Sequence, residues 1–334
     1  MCVEGQVRPM KKVCIYGAGA IGGWLGNGLA RAGCAVSVVA RGATLAALRD
    51  RGLVLHNAQG RHALPVRADA SPAVFGVQDL LVIAVKAPAL AEVARQVAPL
   101  IGPDTIVLTA MNGVPWWFFQ GFAGPYEGTR LRAVDPTGDI GRAIAQRHII
   151  GCVVHASCSL DAPGEVRHRF GNGLIIGEPS GGTTDRASAL VALLARAGFD
   201  ATLSERIQKD TWYKLWGNMT TNPISAITGA TTDLIVGDDL VRTFASNAML
   251  EAREIGARIG VPIAQQPSDR HAVTVKLGAF KTSMLQDVEA GKPVELDALV
   301  SVVRELGQLT GVATPCIDAL LGLARLHARV HGLY

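Results

Sequence analysis

A glycine motif near the N-terminus constrains the fold of this chain more than any other feature. The run Gly17-Ala18-Gly19-Ala20-Ile21-Gly22 has the pattern G-x-G-x-x-G. It follows a short apolar run, Val13–Tyr16, and it opens a helical pattern over residues 20–32. In this context backbone N–H groups and the helix dipole face a pyrophosphate. The motif predicts a dinucleotide-binding turn in which all six residues lie at the cofactor.

Strand-like and helical patterns alternate through the first half of the chain. Alternation at this spacing predicts a doubly wound parallel sheet. A hairpin around Asn57 and Gly60 is predicted from the runs 53–55 and 63–66. The remaining predicted strands are 35–40, 80–85 and 105–109, with helices at 20–32 and 89–100.

The pattern changes after residue 150. Three strand-like segments in 151–178, separated by Pro163-Gly164 and Gly171-Asn172-Gly173, predict an antiparallel meander. From Thr184 onward nearly everything is helical, including 238–259 and 296–309. The predicted fold class is α/β, with an N-terminal Rossmann-type parallel-sheet domain and a mainly α-helical C-terminal domain. We place the dinucleotide-binding domain at residues 1–203 and the helical domain at 204–334.

Composition excludes several classes of protein. The 334 residues are 49% hydrophobic with a formal charge of only +4, and the basic residues are scattered, so nucleic-acid binding is not indicated. The apolar stretches 13–32 and 106–122 contain polar residues, glycine or proline, so neither predicts a membrane span. No His, Cys and carboxylate cluster has zinc-like spacing, so no metal is expected. Reduced thiols and a cytoplasmic location are predicted from six cysteines without a CxxC pair: Cys2, Cys14, Cys34, Cys152, Cys158 and Cys316.

The residue after the second predicted strand bears on cofactor choice. An NAD enzyme usually has Asp or Glu there, whereas this chain has Arg41, 19 residues after Gly22. A guanidinium can bind a 2′-phosphate through paired hydrogen bonds, which a carboxylate would repel. Arg41 therefore favours NADP (NADPH), although a surface arginine would give the same pattern.

A polar stripe marks the predicted helix at 207–221. Lys214, Asn218 and Asn222 fall at i, i+4 and i+8 and so line one face. Bulky residues surround them, notably Trp212 and Trp216. The stripe is compatible with a solvated face, or with a cradle for a carboxylate, a carbonyl and a hydroxyl.

The same helix carries a more specific signal. The segment Trp212-Tyr213-Lys214-Leu215-Trp216-Gly217-Asn218-Met219-Thr220-Thr221-Asn222 resembles the catalytic-lysine helix of the ketopantoate reductase (2-dehydropantoate 2-reductase) family. Residues 283–287 and 293–297 resemble its second signature. With the glycine motif, Lys86 and Asn112, the resemblance covers nearly the whole chain.

The resemblance implies an NADP-dependent oxidoreductase that reduces a small 2-oxo acid. Lys214 would be the general acid that protonates the carbonyl oxygen as hydride arrives, and its ammonium would stabilise the developing alkoxide. Glu295 would orient that ammonium. Near a predicted helix start, Glu295 is equally compatible with a favourable helix-terminal charge.

The remaining roles also follow from the resemblance. Asn218, Asn222 and Ser283 would bind the substrate, while Lys86 and Asn112 would flank the cofactor at strand ends. Ser283 could instead cap a helix, and Asn112 could serve only as a turn residue before glycine.

Two departures put the identity of the 2-oxo acid in question. Thr232 stands where the family offers a further asparagine, and residues 114–119 are unusually aromatic. Trp116 and Trp117 could pack in a core or form a wall of the pocket. The alternatives are an enzyme for another 2-oxo or 2-hydroxy acid and a non-catalytic NADPH sensor. The long helices of the second half could support a homodimer.

Overall fold

The computed structural model describes residues 10–334 of the chain, so Cys2 lies outside the described residues. Two compact units are formed. The first contains the chain up to Met111, Gln120–Phe122 and Asp139–Ile207; the second contains Asn112–Phe119, Ala123–Gly138 and Gln208–Tyr334. A single division between residues 203 and 204 stays a prediction.

The first unit is built on a ten-stranded sheet. Its strands are β1 (Lys12–Tyr16), β2 (Ala35–Val39), β3 (Leu53–Asn57), β4 (Gly60–Leu64), β5 (Arg67–Asp69), β6 (Leu80–Ile83), β7 (Ile106–Thr109), β8 (Ile149–Ala162), β9 (Glu165–Gly177) and β10 (Asp200–Leu203). They are ordered β4-β3-β9-β8-β7-β6-β1-β2-β5, with β10 paired to β9. Antiparallel pairing joins β3 to β4 and β8 to β9.

The centre of the sheet is parallel and buried. β1 pairs in parallel with β2 and β6, and β6 pairs in parallel with β7. All four residues of β6 and of β7 are buried. Continuous apolar strands of this kind belong in a parallel sheet covered on both faces. The flanking helices are α1 (Ala20–Arg31), α2 (Gly42–Arg51), α3 (Leu90–Gln96), α4 (Asp139–Ala143) and α5 (Asp185–Arg196).

This arrangement confirms the predicted Rossmann-type parallel sheet and the hairpin of β3 and β4. The prediction of three segments in 151–178 was wrong, because β9 runs unbroken through Gly171-Asn172-Gly173. Its register against β8 shifts between His155 and Ser157, so the glycine segment is accommodated as a β-bulge.

Two further boundaries differ from the predictions. The helix expected over 89–100 ends at Gln96, and Ala98–Leu100 forms a separate 3-10 turn that contains Pro99. Proline disfavours helical geometry in the residue before it, which accounts for the break. β10 was missed because its short, largely exposed sequence lacks an apolar signal.

The second unit is mainly helical, as predicted. Its helices are α6 (Ile207–Thr228), α7 (Thr232–Gly237), α8 (Asp239–Arg258), α9 (Pro267–Val275), α10 (Ser283–Glu289), α11 (Val302–Thr310) and α12 (Pro315–Val330), with a π-helical turn at Asp297–Ser301. Trp212 and Trp216 of α6 are fully buried. The Trp216 indole Nε1 donates to the carbonyl oxygen of Met249 in α8 at 2.7 Å.

The aromatic segment after residue 114 is part of this second core. Trp116 and Trp117 are buried, in agreement with the packing interpretation. The Phe118 ring lies 6.3 Å from the Trp212 ring, and the Gln208 side-chain amide donates to the Phe118 carbonyl oxygen at 3.2 Å. The segment is therefore fixed against the start of α6.

None of the described helices is long and apolar enough to cross a membrane. Between residues 10 and 334, no group of three or more His, Cys, Asp or Glu side chains could hold a metal ion.

Candidate functional site

In the glycine turn after β1, two of the glycines leave no space for a side chain. A Cβ at Gly17, where φ is +99°, would lie 2.6 Å from the Val85 side chain. A Cβ at Gly22 would lie 2.0 Å from the Gly17 carbonyl oxygen. Such distances are below van der Waals contact, so both glycines are required for β1 to pass directly into α1.

The middle glycine of the motif faces open space. A Cβ at Gly19 would meet nothing within 4 Å. Gly19 is the N-cap of α1, provides no side-chain cap, and is followed by no acidic residue in the first turn. The first-turn N–H groups of a helix need an acceptor from outside the helix. The start of α1 therefore fits the pyrophosphate of a dinucleotide.

Arg41 follows β2 and is the N-cap residue of α2. Its guanidinium lies 2.6 Å from a Glu92 carboxylate oxygen and 3.3 Å from the Gln96 amide oxygen, both on α3. The Tyr16 hydroxyl donates to the same Gln96 oxygen at 3.2 Å. The arginine is thus exposed but held by a carboxylate, which a 2′-phosphate would have to displace or share.

Lys86 lies in the loop after β6 and is half-buried. Because β1, β2 and β6 are parallel neighbours, the segments after them leave the same edge of the sheet. Ligands bind at this edge in open α/β sheets. The structure thus brings Lys86, the glycine turn and Arg41 to one edge of the first unit.

In the second unit, Lys214 lies on α6 and is half-buried. Its Nζ donates to the side-chain oxygen of Asn112 at 2.8 Å. The predictions had assigned Asn112 to the cofactor and not to the lysine. This hydrogen bond fixes the position of the Lys214 ammonium relative to the Asn112 loop.

The polar stripe on α6 is not a solvated face. Asn218, like Lys214, is half-buried, and Asn222 is 5% exposed. The same helix buries Met219 completely. The side chains of the stripe are therefore only partly accessible to solvent.

The Asn112 loop is anchored to the second signature segment. The Val114 N–H donates to the carbonyl oxygen of Ala298 at 2.9 Å. Ala298 belongs to the π-helical turn that begins two residues after Glu295, itself half-buried in the preceding loop. π-Helical turns occur often at functional sites.

Ser283 is exposed at the first position of α10. The alternative in which it caps the helix is wrong, because the Thr282 hydroxyl accepts from the Leu285 N–H at 3.2 Å. Thr232, which replaces the family's further asparagine, is buried and donates to the Gly278 carbonyl oxygen at 2.8 Å. The hydroxyl proton of Thr232 is therefore already used in a hydrogen bond inside the second unit.

Two features of the second unit were not predicted. One is the contact between Asn112 and Lys214, which are 102 positions apart. The other is Arg270 of α9, whose guanidinium lies against Gly217 of α6. A glycine in the middle of a helix of bulky residues was the available sequence signal for a close approach.

Desolvation disfavours the thiolate form of two cysteines of the first unit, the buried Cys14 and the half-buried Cys158. Burial raises the pKa of Cys14 and of Cys158 to about 12, and neither residue forms a disulfide. These cysteines are therefore packing residues and not candidates for the site.

A parallel sheet with a glycine turn at its carboxyl edge, followed by a helical unit with a sheltered lysine, defines a Rossmann-type oxidoreductase. Residues 13–117 match the family model described as ketopantoate reductase PanE/ApbA, and 206–328 match the model of its C-terminal part. The chain belongs to the ketopantoate reductase PanE/ApbA family, a family of oxidoreductases that act on CH–OH or C=O groups.

Individual relatives support the assignment across the full chain. The 2-dehydropantoate 2-reductase of Mesorhizobium japonicum is 47% identical over 97% of this chain and 99% of its own length. A Ralstonia solanacearum MolK2 structure assigned to a ketopantoate reductase is 56% identical, with a TM-score of 0.94 over 97% of this chain and 100% of its own. The 2-dehydropantoate 2-reductase structure from Geobacter metallireducens GS-15 is 27% identical, with a TM-score of 0.82 over 94% and 99%.

Proposed function

We propose that the chain reduces 2-dehydropantoate (ketopantoate) to pantoate with NADPH. The observation that carries the proposal is the half-buried Lys214 ammonium, held 2.8 Å from Asn112 on the helix that bears Asn218 and Asn222. The 47% identity to a 2-dehydropantoate 2-reductase over nearly the whole chain supports the same substrate.

The residues of the first unit fit a nicotinamide dinucleotide with a 2′-phosphate. Open space at Gly19 and the uncapped start of α1 suit the pyrophosphate. Arg41 would bind the 2′-phosphate through paired hydrogen bonds, and Lys86 would add positive charge at the same sheet edge. When bound, NADPH would supply the hydride that adds to the carbonyl carbon.

The second unit would supply the proton and hold the substrate. As negative charge develops on the carbonyl oxygen, Lys214 Nζ would stabilise it and transfer a proton to it, which yields the hydroxyl of the product. Asn112 positions the ammonium through its side-chain oxygen. Glu295 would orient the same ammonium, while Asn218, Asn222 and Ser283 would bind the hydroxyl and carboxylate of the substrate.

The experiment is a steady-state assay of the purified chain with NADPH and ketopantoate. NADH and a panel of other 2-oxo acids are run in parallel. We expect NADPH oxidation that depends on ketopantoate, with a larger kcat/KM than for any other acid in the panel. If another 2-oxo acid is turned over preferentially, the proposed mechanism stands but the substrate assignment is wrong. Tight NADPH binding without turnover of any acid would overturn the enzymatic proposal in favour of a sensor.

Arg41→Ala is expected to reduce the preference for NADPH over NADH by about 10- to 100-fold, the usual effect of losing charged hydrogen bonds. The reason is that only NADPH carries the 2′-phosphate. The measurement is the ratio of kcat/KM for the two cofactors at constant ionic strength.

Arg49→Ala is the matched control, because Arg49 lies on the same helix and pairs with Asp69 at 2.8 Å. The control should leave the ratio unchanged. Glu92→Gln removes the carboxylate that holds Arg41 and should raise the preference for NADPH. Equal ratios in wild type and Arg41→Ala would assign cofactor choice to other residues.

A further inference from the structure

The guanidinium of Arg270 lies on the surface of α6 directly against Gly217. A Cβ at Gly217 would be 2.3 Å from Arg270 Nε and 2.9 Å from its Cζ. Glycine lowers helix stability relative to alanine, and here it stands between Trp216 and Asn218. The absence of a side chain at Gly217 lets Arg270 approach the helix in this conformation.

This guanidinium is sheltered and lacks a carboxylate. Its Nε is buried and has no hydrogen-bond partner in the described part of the chain. Burial lowers the pKa of Arg270, and the group that opposes this shift is Tyr213, whose ring centroid lies 5.8 Å from Cζ. A ring face provides only weak compensation for a charge removed from water. The site is therefore suited to an anion from outside the chain.

Arg270 also packs on the helix that carries the proposed proton donor. Gly217 is three residues after Lys214 and adjacent to Asn218. Side chains three residues apart on a helix have Cβ atoms about 5–6 Å apart. A group bound by Arg270 would thus be a near neighbour of a group bound by Lys214, as the carboxylate and carbonyl of a 2-oxo acid are.

We infer that Arg270 supplies the positive charge that binds the carboxylate of the 2-oxo acid, in addition to the uncharged ligands proposed above; the inference rests on the proposed function. The physical reason is that the carbonyl oxygen and the carboxylate of the substrate each need a positively charged partner. Lys214 must stay on the carbonyl oxygen to deliver its proton, and the proposed amide and hydroxyl ligands carry no charge. Arg270 has the planar donor geometry that matches a carboxylate. It makes the site selective for 2-oxo acids over uncharged ketones.

The test compares ketopantoate with ketopantoyl lactone, the uncharged cyclic ester of the same acid. Arg270→Met should raise KM for ketopantoate about 10- to 100-fold, as expected for loss of a charged hydrogen-bonded pair, while KM for the lactone changes less than about threefold. Arg270→Lys should be intermediate for the acid. Lys276→Met, at the exposed C-terminal end of the same helix, is the control and should behave as wild type.

Gly217→Ala provides a second variant that keeps the arginine. Because the new methyl group would displace the guanidinium, this variant should also raise KM for the acid more than for the lactone. Equal increases for the two substrates, or no increase in Arg270→Met, would overturn the inference and leave Arg270 as a packing residue. Absence of 2-oxo acid reduction by the wild type would instead overturn the proposed function, and this role with it.

Discussion

Lys214→Ala is expected to lower kcat for ketopantoate between about 10²- and 10⁴-fold, the usual contribution of a positioned general acid. The substitution removes the group that donates the proton and the charge that stabilises the developing alkoxide. Because these interactions strengthen in the transition state, kcat should fall more than KM rises. Steady-state kinetics with saturating NADPH measures both constants.

Lys209→Ala is the matched control on the same helix. Lys209 is exposed, so its loss should leave kcat unchanged. NADPH binding, followed by equilibrium fluorescence, should be the same in both variants and the wild type. If Lys214→Ala retains the kcat of Lys209→Ala, another group donates the proton and the assignment of Lys214 is wrong.

Glu178→Ala is expected to destabilise the first unit by about 1–3 kcal/mol, the cost of removing a charged hydrogen-bond acceptor whose own side chain is buried. The Glu178 side chain is only 3% exposed and lies against the Arg186 guanidinium. It also accepts from the Thr184 hydroxyl at 2.6 Å. Arg186 reaches on to the carbonyl oxygens of Arg147 and Ile149, so one side chain ties α5 to the start of β8. Urea unfolding monitored by circular dichroism measures the change.

Glu254→Ala tests whether burial is the reason. Glu254 pairs with Arg258 at 2.9 Å one turn along α8, and both side chains are exposed. Its loss should change the free energy of unfolding by less than about 0.5 kcal/mol. If the two variants lose the same free energy of unfolding, burial of Glu178 does not strengthen its ion pair.

Local sequence was sufficient to predict the core strand, turn and helix of the first unit. The apolar run before Gly17 and the glycine spacing predict β1, α1 and the turn between them, because each depends on residues close in sequence. β10 could not be predicted in this way. Three of its four residues are exposed, and it forms a strand by pairing in parallel with the edge of β9.

The same distinction applies to the candidate site. Helical spacing predicts that Lys214, Asn218 and Asn222 share a face, and the structure confirms that they lie on one helix. No periodicity relates Asn112 to Lys214, since that contact depends on how distant segments pack. Arg270 was missed for the same reason, although Gly217 marked the place where something approaches the helix.

The second unit takes its aromatic segment from the middle of the first unit's sequence. During synthesis, Trp116–Phe119 leave the ribosome well before Gln208 and α6, against which they pack in the finished protein. Domains generally fold as their residues emerge, and exposed apolar surface favours aggregation in the interval. The nascent chain thus carries four large aromatic side chains without their final partners until α6 has been made.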